Sequence, residues 1–305
     1  MPELSVVIPT LNRGKLFHDT VRQVLAQDCR DFDLWVIDQS DAEERAANEA
    51  LVVALADPRL HHVYVARKSL PNARNEALAR VDCRVVLFLD DDVILIHPDF
   101  LRAHVDNYAD ARVGGVTGRI VERFVRPNVD HVAAHLSAGG RTLTNMWGTE
   151  KQEIRGLKGA NMSYRIDAVR QVGGFDRNYI GTALLEDTDY SWRVHRAGWR
   201  LVYEPRAELV HLSSPTGGVR VEDALRGEKW RFRSTGYFVR KHRGWPGVAR
   251  SAATFGAIAL ARAARWRDPS VVKVLMDAMK EGVGAYKEGP DQEIPRRLAR
   301  ATLPL

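Results

Sequence analysis

Val85-Val86-Leu87-Phe88-Leu89-Asp90-Asp91-Asp92 joins an unbroken apolar run to three consecutive carboxylates, and the fold class follows from that junction. Five apolar residues without alternation describe a strand buried on both faces. Similar runs occupy residues 4–8, 33–37 and 61–65. Between them, residues 15–27, 42–55 and 72–80 have helical spacing and few breakers. Strand–helix alternation over the first 120 residues predicts an α/β chain with a mostly parallel sheet flanked by helices. Such sheets bind ligands at the carboxyl ends of their strands. The three acids stand at one of those ends.

The whole chain has 305 residues, 45% of them hydrophobic and 28% charged. That mix suits a soluble protein of one large domain, or one domain with an appendage, and excludes disorder as the dominant state. Two isolated cysteines, Cys29 and Cys83, exclude a disulfide framework and a cysteine-held zinc site, so a reducing cytoplasm is expected. The start, Met1-Pro2-Glu3, lacks the basic opening of a signal peptide, and no apolar run reaches the ~18 residues of a membrane span.

The net charge of +6 is uneven. Residues 215–305 hold 18 basic and 9 acidic residues, a balance of +9, which leaves the rest at −3. The basic tail suits either an anionic partner or plain solubility. Residues 124–156 form a long mixed stretch with His131, His135 and Trp147, longer than ordinary connections and expected as an acceptor-facing or lid-like segment. Residues 156–212 form a compact block with a helix over Glu186–Arg196 and a strand over 200–203. Beyond Pro215 the chain reads as helices, broken at Gly244-Trp245-Pro246-Gly247. The expected division is 1–214, with halves near 1–120 and 121–214, followed by a basic helical extension over 215–305.

Adjacent carboxylates repel one another unless a cation sits among them. Asp90-Asp91-Asp92 therefore reads as a hard-ligand site for Mg²⁺ or Mn²⁺ shared with substrate phosphates, or as a solvated acidic turn. Glu186-Asp187 opens an amphipathic helix, where acids are also ordinary capping residues. His131 and His135 have i,i+4 spacing but no acidic third ligand, which favours a solvated face. Trp147 suits either stacking on a sugar ring or packing. Arg226, Lys229, Arg233 and Arg240 fall on one helical face, interleaved with Trp230, Phe232, Tyr237 and Phe238. That stripe suits an anionic membrane surface or lipid-linked diphosphate, or else a helical lid packed on the catalytic domain with an ordinary basic exterior.

Over roughly residues 3–212 these motifs, in this order, resemble a family-2 glycosyltransferase with the GT-A fold. Val6-Val7-Ile8-Pro9-Thr10-Leu11-Asn12-Arg13 is similar to its opening strand and loop, and Val36-Ile37-Asp38-Gln39-Ser40-Asp41 to its second strand. Pro71-Asn72-Ala73-Arg74-Asn75 matches its Ala-Arg-Asn helix start, and Asp90-Asp91-Asp92 its Asp-X-Asp. Gly159-Ala160-Asn161 and Gly173-Gly174-Phe175-Asp176 sit where the acceptor-side motifs do, and Glu186-Asp187 resembles the catalytic acidic pair. In the second-strand motif Gln39 replaces an aspartate and a glycine is missing.

The resemblance implies donor contacts from Pro9, Thr10, Asn12, Arg13, Asp38, Arg74, Asp90 and Asp91. It implies a metal on Asp90 and Asp92, completed by His211, whose other reading is a hydrogen-bonded strand-end histidine. Gly159 and Asn161 are implied on the acceptor side, and Asp187, beside Glu186, as the base. The expected reaction moves a sugar from a nucleoside-diphosphate sugar to a hydroxyl, with inversion, in cell-surface polysaccharide or glycolipid synthesis. Its acceptor is a saccharide or lipid-linked saccharide, its cofactor Mn²⁺ or Mg²⁺, and its place the cytoplasm or the inner membrane face. A sugar nucleotidyltransferase needs a glycine-rich phosphate loop, but the loop over 10–15 has only Gly14. A catalytically silent binding subunit would not need all five of these acids, and a nucleic-acid binder would need none.

Overall fold

The computed structural model describes residues 1–122, 132–219 and 223–287. His131 lies outside them. The chain opens with β1 (Leu4–Thr10), α1 (Lys15–Leu25), β2 (Phe32–Asp38), α2 (Ala42–Leu55), β3 (Leu60–Tyr64), α3 (Leu70–Leu78) and β4 (Val85–Leu89). These four strands lie parallel in the order β3-β2-β1-β4. β1 and β4 are buried along their whole length, which is why they read as continuous apolar runs.

The next elements are β5 (Val93–Leu95), α4 (Phe100–Val105), β6 (Val113–Glu122), β7 (Ala133–Leu136), β8 (Thr142–Asn145) and β9 (Gln152–Ile154). β10 (Asn161–Arg165), α5 (Ile166–Val172), α6 (Glu186–Arg196) and β11 (Arg200–His211) follow. β10 pairs antiparallel with both β4 and β6, and the sheet continues β10-β6-β11-β5. β7 and β8 form a separate hairpin, so the exposed His135 lies on a strand, not a helix.

The strand expected over 200–203 runs on to His211, with a register shift between Glu204 and Leu209. Gly118 makes that shift feasible, since a Cβ there would stand 1.8 Å from the Ala207 carbonyl oxygen. The shift sets His211 opposite Glu122 on β6 and Val93 on β5. Asp92, one residue before β5, is thereby brought beside His211.

The C-terminal part is helical: α7 (Ala224–Trp266) and α8 (Ser270–Ala285). Gly244, at φ 61°, interrupts α7 where the glycine–proline cluster announced a break. Phe232, Tyr237, Phe238, Phe255 and Leu275 build a second apolar core that also takes in Tyr179 and Leu185. The basic stripe is therefore not one solvated face. Arg233 is buried, with Nε 2.7 Å from Glu281 and Nη1 donating to the Asn178 carbonyl at 3.1 Å. Arg240 lies over the Trp245 and Tyr286 rings, while Arg226 and Lys229 are exposed. No described helix is long and apolar enough to cross a membrane.

Candidate active site

The carboxyl ends of β1 and β4 meet the loop after β11 in one cleft. Thr10 Oγ1 donates to Asp91 at 2.8 Å, and Arg13 Nε to the same carboxylate at 2.8 Å. From α1, Thr20 donates to the carbonyls of Asp91 and Val93 at 3.2 Å, which fixes the backbone that carries the three acids. Burial pushes the Asp91 carboxyl up to about 6 against the pull of Arg13. Asp91 is thus committed to holding Arg13, and Asp90, 30% exposed, faces the cleft.

Asp90, Asp92 and His211 bring one ligand atom each within 4.8 Å of one another. His211 Nε2 lies 3.3 Å from Asp92 and 3.6 Å from Asp90, while Nδ1 lies 3.0 Å from Glu122. Ser214 N donates to Asp92 at 2.8 Å. Burial works against the charged imidazole, but Asp92, Glu122 and Asp90 outweigh it and lift His211 to about 10. Burial likewise opposes the charge on Asp92, and the His211 bond still holds that carboxyl below its ordinary range. Two carboxylates and one imidazole, the last oriented by Glu122, are a donor set that fits Mn²⁺ or Mg²⁺.

Across the cleft, Glu186 and Asp187 open α6. The turn before them is strained, with Ala183 at φ 52° and Leu185 at φ 73°. Asp187 accepts from Gly159 N at 2.9 Å and from Thr188 N at 2.6 Å. Glu186 is buried and paired with Arg74, while its Oε2 has no hydrogen-bond partner among the described residues. Burial pushes Glu186 up to about 7 against the Arg74 charge.

Asp90, Asp187, Glu186, His211 and Gly159 line one cavity of about 370 Å³. It shares Leu70, Asp90 and Val219 with a smaller one of about 110 Å³ lined by Pro9, Thr10, Arg13 and Asp91. Glu122 and Lys158 join the large cavity to a third, of about 280 Å³, that contains Trp147. One groove therefore runs from the β1 loop, past the acids, to Trp147.

Several expected residues stand elsewhere. Asp38 is fully buried, bonded to Asn48 at 3.0 Å, His62 at 3.0 Å and Ser40 N at 2.8 Å. Burial opposes its charge, but those bonds hold the carboxyl down near about 2. Its neighbour Gln39 lines the small cavity instead. Asn12 turns to Asp41, with Nδ2 2.7 Å from its carboxylate. Asn161 is buried between His104 at 2.7 Å and the Ala207 carbonyl at 2.9 Å, so it braces the β11 bulge and does not reach the groove. Arg74 lines the large cavity but is only 1% exposed, engaged by Glu186 and, at 3.1 Å, by the Gly159 carbonyl. Leu70, Gly218, Val219 and Lys158 line the groove without any motif to announce them.

A profile of the family described as "Glycosyltransferase like family 2" matches residues 2–229. The chain belongs to that family. Pre-mycofactocin glycosyltransferase of Mycobacterium tuberculosis is 29% identical over 213 residues, covering 68% of this chain and 42% of the relative. The O-antigen chain rhamnosyltransferase RfbN of Salmonella typhimurium is 24% identical over 213 residues, covering 68% and 66%. The match thus spans well under half the length of the first relative. Among solved structures, the mannosyltransferase PcManGT of Pyrobaculum calidifontis, in complex with GDP-Man and Mn²⁺, superposes with a TM-score of 0.59 at 17% identity. That superposition covers 93% of this chain and 86% of the other. GalNAc-T7 with UDP, GalNAc and Mn²⁺ gives a TM-score of 0.60 at 16% identity, covering 76% and 47%. The fold of this glycosyltransferase-family chain is GT-A.

Proposed function

We propose that this chain transfers a sugar from a nucleoside-diphosphate sugar to an acceptor hydroxyl with inversion at the anomeric carbon. The observation that carries the reading is the meeting of Asp187 with Asp90 and His211 on one cavity wall. Asp90, Asp92 and His211 would hold a divalent cation, which supplies charge neutralisation for the departing diphosphate. Support for such a donor and ion comes from the two structural neighbours, whose complexes contain GDP-Man or UDP, each with Mn²⁺.

The chain's own groups divide the work. Thr10, Arg13 and Gln39 line the recess proposed for the nucleotide. Arg74 pairs with Glu186 and donates to the Gly159 carbonyl, which ties the start of α6 to the Gly159 loop. Asp187 takes the proton from the acceptor hydroxyl as its oxygen bonds to the anomeric carbon. The bond from that carbon to the diphosphate oxygen breaks with its electron pair on the leaving group. One base and one displacement give inversion. The acceptor, a saccharide or lipid-linked saccharide of cell-surface synthesis, enters from the Trp147 and Lys158 side.

A panel of nucleotide sugars, assayed for nucleoside diphosphate release with Mn²⁺ or Mg²⁺, tests the reading and names the donor. Release from one donor, abolished by EDTA, is expected. Asp187→Asn should leave donor affinity near wild type and slow transfer by about 10²–10⁴. Collapse of donor binding in that variant would assign Asp187 to the donor site instead.

A further inference from the structure

We infer that Lys241, on the C-terminal helix α7, is a positioning residue for Asp187, so that the helical extension is part of the catalytic apparatus. The inference rests on the reading of Asp187 as the base. Asp176 and Asp189, both fully buried, bracket the segment that leads to the acidic pair. The Lys241 ammonium lies 2.7 Å from Asp176 and 2.6 Å from Asp189. One cation thus ties the segment down before and after the strained turn at Ala183 and Leu185.

The rest of the cluster is saturated. Asp189 also meets Arg193 Nε at 3.0 Å and His242 Nε2 at 2.7 Å. Asp176 accepts from Tyr237 OH at 2.7 Å and from Asn178 N at 3.0 Å. The Lys241 side chain is only 6% exposed, so these charges face each other with little water between them. Around the cluster, Tyr179 and Leu185 sit in the apolar core of α7 and α8. The ring of Trp230 covers Gly181, where an added Cβ would fall 2.3 Å from it.

Asp189 is two residues from Asp187, within the first turn of α6. Fixing Asp189 therefore sets the roll and height at which Asp187 enters the cavity. Gly159 N holds the same turn from the sheet side at 2.9 Å. A base must meet its hydroxyl at hydrogen-bond distance, and a displacement of about 1 Å costs about 10²-fold in rate. Lys241 touches none of the groups proposed for the donor or the metal. Its loss should act on kcat and spare donor binding.

The test compares Lys241→Met, Lys241→Arg and Asp187→Asn with wild type, with the exposed α8 variant Lys273→Ala as control. Transfer kinetics are read below the melting temperature of each variant, together with amide exchange over Glu186–Arg196. Lys241→Met is expected to lower kcat about 10²-fold, keep donor KM within about threefold and speed exchange in the first turn of α6 about tenfold or more. β1 and β4 should exchange as in wild type, and Lys241→Arg should recover most of kcat. If Lys241→Met does not fold, the double variant Asp176→Asn/Lys241→Met removes one carboxylate charge with the cation and is expected to fold but stay slow. Wild-type kcat in either variant, or unchanged exchange over α6, overturns the inference. Full activity of Asp187→Asn would instead remove the base assignment, and the exchange measurement would still decide whether Lys241 holds α6.

Discussion

Two acidic clusters flank the Glu186–Asp187 turn, one closed off from water and one opening on a groove. Behind it, Asp176 and Asp189 are closed off from water and bonded to Lys241, Arg193 and His242. In front, Asp92 is buried beside His211 and Arg13, while Asp90, also next to His211, is partly exposed to the groove. Buried carboxylates paired with the chain's own cations hold structure together. Carboxylates gathered at an open strand end, with an imidazole among them, are poised for a cation from outside. The same residue type does two jobs, and the access that Asp90 has to the groove tells them apart.

Removing one acid from each cluster should separate the two roles. Asp189→Ala strips Arg193, Lys241 and His242 of their shared partner, and a loss of about 3–5 kcal/mol is expected in urea unfolding. A loss below about 1 kcal/mol would show that the closed cluster contributes little. Asp90→Asn relieves repulsion, so its melting temperature should hold or rise while metal-dependent turnover drops by about 10²–10³. A destabilised but active Asp90→Asn protein would reverse the comparison.

A smaller effect distinguishes the clusters by pH. Burial opposes ionisation of Asp189, but Arg193, Lys241 and His242 hold its folded pKa below the unfolded value. Such a group contributes stability that is fully present above pH ~4 and is lost as pH falls further. Unfolding midpoints at pH 7, 4 and 3 should therefore fall less steeply in Asp189→Asn than in wild type, and equal slopes would refute the linkage. The least change is expected at the surface. Arg226→Gln with Lys229→Gln should weaken any binding to anionic vesicles by about 1 kcal/mol per charge at low salt, read by flotation, and leave turnover of a soluble acceptor unchanged.

The first half of the fold was legible because β1 and β4 are buried along their whole length and its helices are separated by clear turns. The order of motifs located the groove. Side-chain direction was another matter. Asp38 and Asn161 lie in stretches that resemble donor and acceptor motifs, yet strand ends and register send them into the core. Gln39, Gly218 and Val219 reach the groove through the path of loops and Leu70 at the very start of α3, which no periodicity encodes. The three-residue β5 is too short to declare itself, although it places Asp92 against His211. Arg233 looked like one tooth of a basic stripe because helical spacing reveals a common face but not what packs there. Lys241 and Asp189 are 52 residues apart, and only the folded chain joins them.

On the proposed function, the open cluster receives a metal-bound nucleoside diphosphate. Calorimetric titration of UDP, GDP and dTDP into wild type and Asp92→Ala, each with Mn²⁺ and with EDTA, tests it most directly. Saturable binding of one of the three by wild type with Mn²⁺ is expected, with its loss both in EDTA and in Asp92→Ala. Equal affinity in all four conditions would contradict it.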